Sequence, residues 1–178
     1  TVVPKSCSSM TCREVFPEET GTTFTANAEL KAKAAAMSAG GVALADDSGL
    51  EVDALDGAPG VHSARFAGEH GDDSANNALL LEKLADVPDE ERGARFVCVL
   101  ALASPDGSVA ATFEGTARGR ILRAPRGSGT FGYDPLFLHE PSDQTFAQLS
   151  QKKKNEFSHR GAALAKVAEQ LPALVSIL

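Results

Sequence analysis

The sequence predicts an α/β domain with a mixed β-sheet, and three observations carry that expectation. Helical and extended patterns alternate over the first half of the chain, strand patterns cluster in the middle, and a helical pattern closes it.

Each element has a local reason. "FTANAELKAKAAAMS", Phe24 to Ser38, is rich in alanine and other helix formers, places Glu29 four residues before Lys33, and stops at Gly40 and Gly41. It reads as a helix. Val42 to Ala45 follows as a short buried strand, with Ser48 and Gly49 turning the chain behind it. "LEVDAL" then sets Leu50, Val52 and Ala54 against Glu51 and Asp53, the period of a half-exposed strand, and "DGAPG" ends it. From near Ser74 to about Ala85 a helix is expected, with Asn77, Leu80, Leu81 and Leu84 on one side and Pro88 beyond it. Two apolar, β-rich runs flank "SPDGS", whose Pro105, Asp106 and Gly107 suit a tight antiparallel turn, and a third strand is expected over Ala117–Leu122. "PRGSGTFGYDPLFL" is a glycine-rich loop running into apolar residues. The last helix begins at about Ser158, a suitable N-cap, and carries Leu164, Val167, Ala168 and Leu171 at i, i+3, i+4 and i+7.

The totals exclude several classes. A chain of 178 residues is most simply one domain, 1–178. With 43% hydrophobic and 23% charged residues it has the balance of an ordinary globular protein, so disorder is not expected. No apolar run approaches the ~20 residues that cross a bilayer, and the N-terminus lacks the basic-then-apolar order of a secretion signal, so no membrane partner and a cytoplasmic location are expected. Cys7, Cys12 and Cys98 are odd in number and have no metal-ligand spacing; reduced thiols are the simpler reading. A net charge of −7 argues against nucleic acid as a partner, which requires neutralising many phosphates. Between Thr116 and Arg160, however, eight basic residues face four acidic ones, a local excess that draws a small anion.

Three stretches could carry chemistry. "VALADDSG" sets Asp46 and Asp47 at a strand end, where α/β sheets gather ligands. Adjacent carboxylates repel unless a cation lies with them, and Mg²⁺ is the natural one because it binds through one or two carboxylates plus substrate phosphates. A solvated turn explains "DDSG" equally well. Glu18 and Glu19 could add a ligand, although on spacing alone they are an acidic patch. In "RGSGTFGYDP", Phe131 or Tyr133 could stack on a base, while an aromatic at such a place is more often core. "KKKNEFSHRG" brings Lys154, His159 and Arg160 to a helix start that favours anions or acceptor atoms, while a lysine triplet is usually a solvated face. Taken together, the three describe a metal-dependent nucleotide site.

"EETGTTFTANAELKAKAAA", "ALADDSGLEVDALDGAPGVHSARFAG", "GTFGYDPLF" and "KKKNEFSHRGAAL" stand in the order and spacing of the inosine/xanthosine triphosphate pyrophosphatase family, which this chain resembles from Pro17 onward. The resemblance implies a two-lobed α/β fold with a central sheet flanked by helices, an active-site cleft between the lobes, and a homodimer. It further implies Mg²⁺-dependent cleavage between the α and β phosphates of purine nucleoside triphosphates with a 6-oxo base (ITP, dITP, XTP). By motif, Asp47 resembles the catalytic base and a metal ligand, with Asp46 and Glu19 as further metal-site carboxylates. Ser48 would touch substrate and Lys31 would face the phosphates; Phe131, Gly132, Tyr133 and Asp134 match the base and ribose loop; Lys154, His159 and Arg160 match the base-recognition residues. Donor arithmetic agrees, since the donor-only Arg160 suits a 6-oxo acceptor and opposes the 6-amino group of adenine.

The resemblance departs at the N-terminus. Family members open with an apolar strand running into a phosphate-gripping loop, whereas this chain opens "TVVPKSCSSMTCREVFPEETG". The expectation is that this strand and loop are missing or altered over residues 1–16. A nucleotide-binding protein of the same fold with impaired catalysis is the alternative that this departure keeps in play.

Overall fold

The structure is a computed structural model, and it describes residues 17–128 and 131–175. The expectation about the strand and phosphate loop falls on residues 1–16 and lies outside the described residues, as do Cys7 and Cys12.

Helix α1 spans Phe24–Ala39. Thr23 caps it by accepting from the Ala26 N–H at 3.1 Å, and Gly40, in the left-handed region at φ 60°, closes it with its N–H on the Ala36 carbonyl. Ala28, Ala32 and Ala36 recur every fourth residue and are fully buried, so the inner face of the helix is a stripe of methyl groups.

Strand β1 runs unbroken over Ala43–Val52. The expected turn at Ser48–Gly49 is absent, and "DDSG" lies in mid-strand. Hydrophobicity misses this because the strand carries its polar residues in its middle and its apolar ones at both ends. The predicted alternation of Leu50 and Val52 against Glu51 holds, and both apolar side chains are fully buried.

Helix α2, Asp73–Lys83, begins one residue earlier than expected and is capped by Asp72, whose Oδ1 accepts from the Ala75 N–H at 2.9 Å. Strand β2, Gly93–Ala103, is buried along almost its whole length, as a strand between two neighbours requires. Strand β3, Val109–Ile121, absorbs the third strand expected at Ala117–Leu122. It alternates cleanly, with Phe113, Ala117 and Ile121 inside and Thr112, Glu114, Thr116 and Arg118 outside. Between β2 and β3 the predicted turn forms: the Ser104 N–H reaches the Ser108 carbonyl at 2.9 Å, and Gly107 takes φ 82°. Short strands β4, Phe137–His139, and β5, Gln144–Thr145, complete a five-stranded sheet of order β1-β2-β3-β4-β5, with β3–β4 and β4–β5 antiparallel. Gly119 of β3 has to be glycine, since a Cβ there would lie 2.2 Å from the Leu138 carbonyl oxygen.

Helices α3, Gln151–Phe157, and α4, His159–Val175, follow. Ser158 separates them and caps α4 as expected, its Oγ accepting from the Gly161 N–H at 3.1 Å. No described helix is long and apolar enough to cross a membrane.

The chain divides into two compact units. Of the described residues, one holds 17–47, Cys98–Gly115 and 163–175; its core joins Cys98, Leu100, Leu102, Phe113, Ala163 and Leu174. The other holds Ser48–Val97 and Thr116–Ala162; its core joins Leu50, Val52, Leu80, Leu84, Phe96, Ile121, Phe137 and Phe146. In that second core the Phe96, Phe137 and Phe146 rings lie with centroids 4.6 to 5.7 Å apart. Arg92, fully buried there, donates to the carbonyls of Leu84, Ile121 and Leu122, and so ties the end of α2 to the end of β3.

Candidate active site

In the first unit, Lys31 is the centre of a charged cluster. Its Nζ donates to Asp47 Oδ1 at 2.7 Å and to Glu19 Oε1 at 3.0 Å. Asn27, one helical turn before Lys31 on α1, donates through Nδ2 to the other Asp47 oxygen at 3.2 Å and accepts from the Gly21 N–H at 2.8 Å. The helix thus presents two polar side chains to one carboxylate, and "EETG" is tied back to the same helix. Gly21 is required for the close approach: a Cβ there would lie 2.5 Å from Asn27 Oδ1.

Asp47 is only 7% exposed. Burial pushes its carboxyl above the ordinary value, against the lowering effect of the Lys31 ammonium. Burial by itself would lower Lys31, but the hydrogen bonds and charges of Asp47 and Glu19 outweigh it and hold the ammonium more firmly protonated. Asp46, the preceding residue of β1, points to the opposite face of the strand from Asp47 and is partly buried; Ser48 follows, also partly buried.

Two carboxylates therefore converge on one ammonium, and no group of three or more His, Cys, Asp or Glu side chains suited to a metal occurs among the described residues. A carboxylate pair is the protein-side donor set that Mg²⁺ uses where substrate phosphates supply further oxygens. Glu19 and Asp47 fit that ion in the company of a nucleotide, and fall short of a cage that would hold it alone.

The second unit holds the aromatic loop. Phe131 is 66% exposed, and Lys154 of α3 lies over its ring at 5.4 Å from the centroid. Gly132 takes φ 56°. The next two residues are buried: the Tyr133 hydroxyl donates to the Ser63 carbonyl at 2.8 Å, and the Asp134 carboxylate accepts from Lys154. Burial raises the Asp134 carboxyl, while the charges of Lys154 and Arg160 act to lower it. Burial, together with the charge of Asp73, also raises the Tyr133 phenol. His159 is buried and stacks on Phe96 with ring centroids 4.8 Å apart, and Arg160 beside it is exposed. Lys154 belongs to α3, so the basic trio is split between two helices that meet at Ser158.

Several residues of these clusters escaped the sequence reading. Asn27 had a signal, the four-residue spacing to Lys31. Asp73 and Asn77, which bond Gly132, had a fainter one: a polar residue on the leucine face of α2. Ser63 had none, because its part is played by a backbone carbonyl.

The sequence model of the Ham1 family matches residues 3–170. The chain belongs to the Ham1 family. A dITP/XTP pyrophosphatase of Exiguobacterium sibiricum is 59% identical over 154 residues, which are 86% of this chain and 77% of that one. Among solved structures, a HAM1 protein from Coxiella burnetii aligns with a TM-score of 0.84 at 42% identity, over 90% of this chain and 82% of its own. The nucleoside-triphosphatase / dITP/XTP pyrophosphatase of Mycobacterium abscessus aligns with a TM-score of 0.73 at 49% identity, over 85% and 76%. Ham1 members of known structure thus share the fold of this chain.

Proposed function

We propose that this Ham1 chain is a nucleoside triphosphate pyrophosphatase that hydrolyses purine nucleotides with a 6-oxo base, dITP, XTP and ITP, to the monophosphate and pyrophosphate, and so clears them from the nucleotide pool. The observation that carries the reading is the buried Asp47 held between Lys31 and Asn27, in a chain whose relatives are named for this reaction.

Asp47 is the general base. Held by Lys31 on one oxygen and Asn27 on the other, it has a fixed direction, and burial keeps its basicity above that of a solvated aspartate. It takes a proton from the attacking water as the water oxygen bonds to the α-phosphorus and the bond to the α–β bridging oxygen breaks, leaving with pyrophosphate. Lys31 supplies a positive charge for the phosphates, and Glu19 holds Lys31 from the other side. Mg²⁺, held by Glu19 and Asp47, supplies neutralisation of the phosphate charge when bound. Phe131 offers an exposed face for the base, with Lys154 fixed beside it by Asp134. Arg160 offers donors to a 6-oxo group, which adenine lacks. The active form is a homodimer, which light scattering at working concentration checks.

Pyrophosphate release, measured with Mg²⁺ from dITP, XTP and ITP against ATP and GTP, tests the reading. Release from the first three in preference to ATP is expected, with GTP, which shares the 6-oxo group, reporting on the 2-position, and with Asp47→Asn lowering kcat by on the order of 10³-fold. Nucleotide binding without release would favour a binding protein of the same fold. Release that survives in Asp47→Asn would remove Asp47 from the role of base.

A further inference from the structure

Within the aromatic loop, Gly132 is bonded through both of its backbone polar atoms. Its N–H donates to Asp73 Oδ2 at 2.7 Å, and its carbonyl accepts from Asn77 Nδ2 at 2.8 Å. Asp73 and Asn77 stand four apart on α2, so one helical face grips both atoms. These two bonds span 59 and 55 residues of sequence.

Helix capping does not account for Asp73. An acid at the start of a helix commonly serves as a cap, but Asp72 already fills that place by bonding the Ala75 N–H, and Asp73 turns its carboxylate to Gly132. Asn77 lies on the face of α2 that buries Leu80 and packs Leu81 against the core, where an apolar residue would be cheaper. Its Oδ1 is buried and has no hydrogen-bond partner among the described residues, a cost that the bonds of its amide N–H groups help to offset. They bond the Gly132 carbonyl and the Asp73 carbonyl, each at 2.8 Å.

Gly132 stands between the exposed Phe131 ring and the buried pair Tyr133 and Asp134. Tyr133 is fixed through Ser63, and Asp134 through Lys154. The Phe131 carbonyl accepts from the Asp134 N–H at 3.2 Å, while its ring meets the Lys154 cation. Its direction therefore depends on the backbone of the residue that follows it.

We infer that Asp73 and Asn77 are positioning residues for the nucleotide: by clamping Gly132 they hold the Phe131 face where the base stacks. The inference rests on the reading that this loop receives the base. Both residues bond the backbone of the aromatic loop, so the clamp acts on substrate binding and leaves the chemical step alone.

The test is steady-state kinetics with dITP on the full chain for Asp73→Ala, Asn77→Asp and the conservative Asp73→Asn, with thermal melting and amide exchange of Gly132 on each. Asp73→Ala and Asn77→Asp each remove one bond to Gly132. Each should raise KM about tenfold with kcat within about twofold of the parent, and should speed Gly132 amide exchange. Asp73→Asn keeps an acceptor for the Gly132 N–H and should stay near the parent in KM. If Asn77→Asp fails to fold, Asp73→Ala at the helix start carries the test alone. A KM unchanged in folded Asp73→Ala, or a fall confined to kcat, would overturn the positioning role while leaving the proposed activity intact. A parent chain that neither binds nor cleaves dITP would overturn the activity, and the positioning role with it.

Discussion

The two polar clusters of this protein are built by opposite means. The one around Lys31 is made of side chains: an ammonium, two carboxylates and an amide, drawn from residues 19 to 47, less than thirty positions of sequence. The one around Phe131 is made largely of backbone: Gly132 is gripped at its N–H and carbonyl from α2, and Tyr133 reaches the Ser63 carbonyl 70 residues away. Charged side chains make up most of the first, whereas the second joins one ion pair, Lys154–Asp134, to bonds on the backbone. A cluster that stabilises developing charge needs groups of fixed sign close together. A face that accepts a flat base needs a fixed direction, and backbone bonds fix direction with little charge.

Lys31→Met breaks the first cluster most deeply. It leaves Glu19 and the buried Asp47 without the cation between them, so both stability and catalysis suffer. A fall of about 10²-fold in kcat/KM is expected. A loss on the order of 1 to 3 kcal/mol in urea unfolding is expected as well, below the figure for a fully buried pair because Glu19 keeps part of its hydration. Unchanged stability would show that the carboxylates are solvated in place.

Phe131→Ala separates the clusters. The ring is exposed and supports no core, so the melting temperature should hold while KM for dITP rises roughly 5- to 150-fold, the range of about 1 to 3 kcal/mol for one base–aromatic stack. A drop in kcat at constant KM would tie the loop to the chemical step instead.

The smallest effect concerns Tyr133, the one tyrosine of the chain. Its phenol is held above the ordinary value of 10.0, by burial first and by the charge of Asp73 second. The unfolded chain therefore releases this proton before the folded one does. The stability it contributes is complete below about pH 10 and is lost as the pH rises toward the folded value. Tyrosinate absorbance should accordingly appear together with alkaline unfolding, and Tyr133→Phe should flatten that limb. A phenol titrating near pH 10 in a still-folded chain would contradict the burial argument.

Elements whose causes are local were legible from sequence. Helix α1, with its alanine stripe and glycine stop, the "SPDGS" turn and the Ser158 cap depend on residues a few positions apart. "DDSG" misleads a local reading because its polarity suits a turn, yet the sheet extends it as the middle of β1. The motif residues could likewise be named from the sequence, but their partners could not. That Lys31 would stand between Glu19 and Asp47, that Asn27 would hold the second Asp47 oxygen, and that Arg92 would be buried among three carbonyls depend on packing between elements.

By itself, then, the sequence determined helices α1, α2 and α4, the turn chemistry, the apolar strands and the types of residue available for chemistry, because propensity, periodicity and capping act within a few residues, whereas α3 was not legible. Which face of β1 carries Asp47, which carbonyls receive Arg92, and which helix grips Gly132 were decided by the tertiary structure. A hydrogen bond between residues 55 or 59 apart exists only once the chain has brought them within 3 Å, and no local pattern encodes that approach.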